Sequence, residues 1–180
     1  WTDEMLCVWR EILERVPQSK LLLKSQVFFA AAMRGTAEER LARLGFDLDR
    51  IVLEPATTDY MERYLDVDIA LDTYPWPGGG TTCDALYMGV PVVSMYGARR
   101  STRFSYAMLH LVGAEELAVT SVSAYISCAV SLAKDLDRLD EMHRTLRRKM
   151  ETAPLMDQRS YMRALEEAYI MALRNVGQGL

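Results

Sequence analysis

The sequence predicts an α/β fold in which a doubly wound parallel sheet carries helices on both faces and a helical C-terminal region follows. Between residues 21 and 95, short apolar runs alternate with segments of helical periodicity, and this alternation is typical of parallel sheets. The apolar runs are continuous, as in strands that are buried on both faces. From residue 101 onward the pattern is only helical. The 180 residues are enough for one domain with a substantial core.

The first predicted elements are a helix and a short strand. Thr2 can cap the helix, with Asp3 and Glu4 in its first turn and Pro17 closing it. Residues at three- and four-residue intervals form its apolar stripe: Met5, Val8, Trp9, Ile12, Leu13 and Val16. The apolar run at 21–23 is then the first buried strand.

The middle of the chain continues the alternation. A capping box at Thr36–Glu39 predicts a helix that stops at Gly45. The remaining elements follow in order: a strand at 51–53, a helix at 57–65, a strand at 68–72, a helix at 82–88, a strand at 91–95, and helices at about 101–112, 121–134, 136–152 and 158–174. Pro154 is the best break, so we predict an α/β body over 1–152 and a C-terminal helix over 153–180 that packs back on it.

The order of the elements implies that a strand precedes the first helix. Doubly wound nucleotide-binding domains usually open with a strand that becomes central in the sheet. This chain opens with the helix that should follow such a strand, and we expect it to be a piece of a longer protein. The strands at 21–23 and 68–72 should then either pair directly or flank a gap that another chain fills.

Composition excludes several functional classes. A net charge of −4 and a pI near 5.3 argue against nucleic acid as the main partner. The sequence has no apolar run long enough for a membrane span and no signal-peptide pattern. Three widely spaced cysteines suggest neither a disulfide framework nor a zinc site, and two histidines are too few for a histidine metal cluster. We expect a cytoplasmic protein without a metal.

The most informative stretch is the glycine loop (residues 73–80), which follows the third strand. Gly78, Gly79 and Gly80 let a ligand approach the backbone closely, and Thr81 and Thr82 add hydroxyls in the first turn of the next helix. Ligands of open α/β sheets bind at this edge, and helix N-termini attract anions. A carboxylate one turn later, Asp84, suits sugar hydroxyls, so the pair indicates a nucleotide with its ribose. The alternative of an ordinary glycine turn with a threonine cap stays open.

At the level of long segments, the sequence resembles the C-terminal catalytic part of the O-GlcNAc transferase family, whose bacterial members often carry tetratricopeptide repeats. The resemblance rests first on the run DIALDTYPWPGGGTTCDALYMGVPVV. The segments WREILERVPQSKLLLKSQ, RLGFDLDRIVLEP and PLMDQRSYMRALEEAYIMA also resemble segments of the family, and they follow one another in the family's order. It implies the Rossmann-like, nucleotide-binding C-terminal half of a GT-B glycosyltransferase. Such an enzyme transfers GlcNAc, or a related sugar, from a UDP-sugar such as UDP-GlcNAc to Ser or Thr hydroxyls of an acceptor protein, with inversion and without a metal.

The resemblance also implies the site residues. The diphosphate would lie on Gly79, Gly80 and Thr81, with Thr82 beside them and Asp84 on the ribose. Residues around the base would be Tyr60 against the uracil, Arg63 near it, and the backbone of Pro55 and Ala56. The loop reads Pro-Gly-Gly-Gly where relatives usually show Asn-Gly, and a lysine often found near Thr57 is absent. These differences concern the choice of sugar and nucleotide.

No general base can be identified in these 180 residues. Cys83 and His110 are better explained as packing residues, and Arg99 and Arg100 as solvated loop charges. The resemblance implies that the catalytic groups lie largely in a preceding N-terminal half. A dinucleotide-dependent dehydrogenase would need G-x-G-x-x-G after its first strand, and the sequence has none. A non-catalytic nucleotide-binding or scaffold module of a repeat-containing protein remains the alternative.

Overall fold

A computed structural model describes residues 1–177, with side chains through residue 175. Seven helices and five strands, with short 3-10 turns between them, make up the described chain. The helices are α1 (Asp3–Arg15), α2 (Ala31–Arg43), α3 (Gly80–Tyr87), α4 (Phe104–Leu111), α5 (Val122–Lys134), α6 (Leu136–Thr152) and α7 (Gln158–Gly177). The strands are β1 (Leu21–Lys24), β2 (Ile51–Glu54), β3 (Ala70–Leu71), β4 (Val92–Met95) and β5 (Ala118–Val119).

The strands form two parallel sheets. β1 pairs with β2 from Leu21↔Ile51 to Lys24↔Glu54, and β4 lies between β3 and β5. In the described chain β1 and β3 do not pair, and a cavity of about 720 Å³ lies between them, lined also by α1 and the α5–α6 region. The chain is therefore α/β with parallel strands, as predicted, and the two middle strands flank a gap rather than pairing.

The core joins α1 and α5 to the second sheet. Thr2 caps α1 as predicted, because its hydroxyl accepts from the Met5 amide at 3.2 Å. Trp9 of α1 donates its indole N–H to the fully buried hydroxyl of Tyr125 on α5. That hydroxyl in turn donates to the backbone carbonyl of Asp72 at 2.8 Å. A buried chain of hydrogen bonds thus ties two helices to the end of β3.

The start of α2 differs from the prediction. The helix begins at Ala31 and not at Thr36, whose hydroxyl donates to the Ala32 carbonyl inside the helix at 3.0 Å. The preceding residues include three alanines in succession, which favour helix strongly enough to extend it past the capping signal.

One further predicted helix was wrong, and one strand was not predicted. The predicted helix at 57–65 is a series of turns that ends in a 3-10 helix, Glu62–Asp66. The guanidinium of Arg63 forms an ion pair with Glu54 at the end of β2, and this pair holds the segment against the sheet. The strand β5 has only two residues, Ala118 and Val119, too few to show an apolar period.

The described side chains of α7 lie mostly in solvent. From residue 158 to 175 every side chain is exposed except that of Leu165, which is half-buried. Large apolar groups, including Tyr161, Tyr169 and Leu173, are among the exposed ones. The expected packing of this helix against the body is therefore not observed, and the division of the chain near residue 152 stays a prediction.

Candidate functional site

The glycine loop connects the carboxyl end of β3 to the first turn of α3, as the sequence predicts. Its middle carries Trp76, whose side chain is 74% exposed. Gly79 is the N-cap of α3 and offers no side chain to the helix amides. The first-turn N–H groups of an uncapped helix are available to water or to an anion, and the helix dipole favours the anion.

The three glycines have different roles. A Cβ atom on Gly78 would lie 2.6 Å from the hydroxyl oxygens of both Thr81 and Thr82, so a side chain at this position would collide with the loop itself. A Cβ atom on Gly79 or Gly80 would meet nothing within 4 Å. The open space therefore lies over Gly79 and Gly80, two of the three positions predicted to receive the diphosphate.

The two threonines that follow also differ. Thr81 is exposed. Thr82 is 2% exposed, and its hydroxyl lies 2.9 Å from that of the buried Ser105. Its side chain is therefore engaged inside the protein, and only its backbone amide belongs to the open first turn. The Thr82 hydroxyl already contacts Ser105, so nucleotide binding by Thr82 stays a prediction.

A buried carboxylate lies beneath the loop. Asp72 accepts hydrogen bonds from the amides of Gly78 and Thr73 at 2.7 and 2.9 Å and from the hydroxyl of Ser94 at 2.6 Å. Ser105 donates to the Gly78 carbonyl at 3.0 Å. Asp72, Ser94 and Ser105 were not among the predicted site residues. The polar Ser94 within an apolar strand was the available signal.

Tyr60 and Asp84 meet at the other side of the loop. The Tyr60 hydroxyl donates to Asp84 at 3.1 Å, and this bond to the carboxylate raises the pKa of Tyr60. The Tyr64 hydroxyl lies 3.4 Å from the Thr81 carbonyl oxygen. The segment after β2 thus reaches the first turn of α3, so the predicted base and ribose residues lie together.

Arg63 is held by carboxylates. Its guanidinium binds Glu54 at 2.9 Å and Asp66 at 2.7 Å, and Lys24 lies 3.6 Å from Glu54. Hydrogen bonds from Arg63 hold the pKa of Glu54 below its usual value. The contact of Arg63 with a base stays a prediction, because in this structure its charge is used to fix the segment that begins with Pro55.

The remaining candidates do not form a catalytic group. The Cys83 thiol lies 3.5 Å from the Met108 sulfur, and burial raises its pKa, which fits a packing residue. His110 is mostly exposed, with Glu115 at 4.0 Å. Within residues 1–177 there is no cluster of three potential metal ligands among His, Cys, Asp and Glu. None of the described helices has the length and apolar character to cross a bilayer.

Comparisons with known proteins agree on one family. Residues 2–165 match the family described as glycosyl transferase family 41. The rice protein named "Probable UDP-N-acetylglucosamine--peptide N-acetylglucosaminyltransferase SPINDLY" is 38% identical over 171 residues, which are 93% of this chain and 18% of that protein. The Arabidopsis thaliana protein with the same enzyme name and the designation SEC is 30% identical over 169 residues, covering 92% of this chain and 17% of that protein.

A solved structure shows the same fold. The K341M mutant of the Thermobaculum terrenum O-GlcNAc transferase superposes with a TM-score of 0.88 at 33% identity, over 97% of this chain and 34% of that one. The chain thus spans about a fifth of the length of these curated relatives and a third of the solved neighbour. Over nearly its whole described length, the chain belongs to glycosyl transferase family 41.

Proposed function

We propose that this chain is the donor-binding part of a longer protein glycosyltransferase. The enzyme transfers GlcNAc, or a related sugar, from a UDP-sugar to Ser or Thr hydroxyls of an acceptor protein. The observation that carries the proposal is the open backbone at Gly79 and Gly80, which lies at a helix N-terminus within reach of Asp84. The names of the relatives support the choice of UDP-GlcNAc.

The loop would act on the leaving group. When the acceptor oxygen forms its bond to the anomeric carbon, the bond from that carbon to the diphosphate breaks, and UDP leaves with the electron pair. The amides of Gly79, Gly80 and Thr81 and the dipole of α3 would stabilise that negative charge. No metal is required for this role, because the donors are already fixed in place.

The nucleoside would lie between the two segments that meet at the loop. Asp84 has one carboxylate oxygen bonded to Tyr60 and can accept from ribose hydroxyls with the other. Tyr60, Pro55 and Ala56 line the path from the end of β2 and would contact the base. In this proposal the base would lie over the first sheet and the diphosphate over the second.

The other parts of the enzyme are assigned outside this chain. We place the acceptor site and the general base in a preceding catalytic half, and we expect tetratricopeptide repeats for acceptor recognition. The three cysteines are free thiols in the structure, which fits a cytoplasmic protein.

Calorimetry on the full-length enzyme tests the proposal. We expect UDP and UDP-GlcNAc to bind, and NAD not to bind; GDP is included because the loop differs from its usual form. If GDP bound best, the proposed donor site would stand and its nucleotide would be guanosine diphosphate. If none of UDP, UDP-GlcNAc, GDP and NAD bound, the proposal of a donor site would be contradicted. Sugar transfer to a protein acceptor then separates an enzyme from a non-catalytic nucleotide-binding module.

A further inference from the structure

We propose that Asp72 is the positioning residue of the glycine loop. It holds Gly78 so that the amides that follow face outward, toward the diphosphate of the donor. The identity of that ligand rests on the proposed function, but the mechanical role of Asp72 does not. The role concerns a buried side chain that touches neither the nucleotide nor the reacting atoms.

The Asp72 side chain acts as a hydrogen-bond acceptor in every contact that the structure gives it. Its side chain is 9% exposed and accepts three hydrogen bonds while donating none. Two of them come from amides at the two ends of the loop, Thr73 and Gly78, and both reach the same oxygen, Oδ1. The other oxygen accepts from Ser94, which is completely buried in β4. One side chain therefore closes the loop onto the end of the sheet.

Asp72 is itself held rigidly. Its amide donates to the Val93 carbonyl at 2.9 Å as part of the strand pairing, and its carbonyl accepts from the buried Tyr125 hydroxyl. The carboxylate is thus carried by the sheet and not by the loop. Groups supported in this way transmit position accurately to the groups they bond.

Gly78 is held from both sides, and this fixes the next amide. Asp72 accepts from its N–H, and Ser105 donates to its carbonyl. The Gly78 carbonyl and the Gly79 N–H belong to one planar trans peptide and point in opposite directions. Because Ser105 holds that carbonyl toward α4, the Gly79 N–H is directed away from Ser105.

Variants of the full-length enzyme separate this role from general stability. Asp72→Ala removes the acceptor. Asp72→Asn keeps an oxygen for the two amides but removes the charge, which weakens these bonds by about half. Tyr125→Phe is the matched control, because it removes a buried hydrogen bond to Asp72 without touching the carboxylate.

Two measurements are made on each variant. The first is the rate of hydrogen exchange in peptides that cover 73–80, without ligand, relative to the rate in peptides that cover 51–54. The second is the ratio of the affinity for UDP to the affinity for uridine. We expect faster exchange at 73–80 in the order wild type, Asn, Ala. The UDP-to-uridine ratio should fall about tenfold or more in Asp72→Ala and by a smaller factor in Asp72→Asn, with uridine affinity unchanged. Tyr125→Phe, which removes one support of the Asp72 backbone and keeps the carboxylate, should change both quantities much less than Asp72→Ala.

Other outcomes overturn the proposal. The proposal is wrong if the relative exchange of 73–80 is unchanged in both Asp72→Asn and Asp72→Ala. It is also wrong if UDP and uridine lose affinity equally, or if Tyr125→Phe speeds exchange at 73–80 as much as the Asp72 variants do. If Asp72→Ala does not fold, Asp72→Asn decides by the same criteria. If the wild type binds neither UDP nor uridine, the proposed function fails, and the exchange comparison still decides whether Asp72 holds the loop.

Discussion

Gly78 and Gly79 are adjacent, yet substitution should affect different properties. Gly78→Ala places a methyl group 2.6 Å from two hydroxyl oxygens, and we expect a loss of about 1–3 kcal/mol in the free energy of unfolding. Gly79→Ala meets open space, and Gly79 has no positive φ, so stability should change by less than about 0.5 kcal/mol. UDP affinity of Gly79→Ala should nevertheless fall about tenfold or more, since the methyl group occupies the place of the diphosphate.

Denaturant unfolding and calorimetry on the same preparations check this pair. Normal UDP binding by Gly79→Ala would remove the diphosphate from this loop. A Gly78→Ala variant as stable as the wild type would contradict the tight enclosure of Gly78.

Asp84 should read the ribose. Replacing it by Ala should weaken UDP binding by about 1.5–3 kcal/mol, the value of hydrogen bonds to a charged group. The affinity of 2′,3′-dideoxy-UDP, which lacks the hydroxyls, should be the same for both proteins. Titration calorimetry with the two nucleotides makes the comparison, and an equal loss for both would show that Asp84 acts elsewhere.

At this scale the sequence predicted the residues at the rim of the glycine loop better than the buried residues that support the loop. Glycines, threonines and an acid after a strand have a recognisable chemistry, and the structure brings Tyr60 and Asp84 together and leaves open space over Gly79 and Gly80. Asp72 and Ser105 could not be assigned, because their roles depend on contacts between residues 6 to 27 positions apart. The engagement of the Thr82 hydroxyl was hidden for the same reason.

Among the elements, the segment 55–66 should depend on its ion pair with β2. Arg63 lowers the pKa of Glu54, so this carboxylate contributes stability above its unfolded-state pKa of about 4.5, and the contribution is lost as pH falls through the lower folded value. In Arg63→Gln the contribution should be smaller, because only Lys24 still lowers the pKa of Glu54. We therefore expect stability to fall less steeply below about pH 4.5 in the variant than in the wild type.

Urea unfolding between pH 7 and pH 3 measures this difference. Arg144→Gln is the control, because its pair with Asp140 is 68% and 56% exposed, against 30% and 27% for Arg63 and Glu54. Exposed pairs contribute little. Identical pH profiles for Arg63→Gln and wild type would show that the pair does not hold the segment.

Elements with strong periodicity were predicted well, and elements that depend on distant partners were not. α1 has both an apolar stripe and a cap, and it forms where predicted. The segment at 57–65 has helical composition but is drawn to Glu54, 9 residues before Arg63, and so remains turns and a 3-10 helix. The two-residue strand β5 exists because β4 offers it an edge, which no local pattern reports.

For the whole enzyme, we predict activity without a divalent metal. The amides of the glycine loop and the dipole of α3 would stabilise the charge of the diphosphate, the role that Mg²⁺ has in many transferases. Sugar transfer by the full-length enzyme should be undiminished in EDTA. An EDTA loss that added Mg²⁺ or Mn²⁺ restores would contradict this prediction.

The gap between β1 and β3 predicts that this chain alone is incomplete in function. Among the described residues, β1 and β3 pair with no strand on the sides that face the cavity of about 720 Å³, and strand edges that lack such pairing favour a further strand. We expect the isolated chain to show no sugar transfer and to bind UDP more weakly than the full-length enzyme. Supplying the rest of the enzyme as a separate chain should strengthen binding, and transfer by the isolated chain would refute the idea.

The position of Trp76 gives the molecule an optical readout of its own. This indole is 74% exposed and lies four residues before Gly80, whereas Trp9 is 2% exposed within the core. The fluorescence of an exposed indole responds to a nearby charge and to loss of water, and that of a buried indole is far less sensitive. Binding of a nucleotide at the glycine loop should therefore change the long-wavelength emission, to which the exposed Trp76 contributes. The short-wavelength emission, which comes from buried Trp9, should stay constant. Donor entry and product release could then be followed in real time without a label.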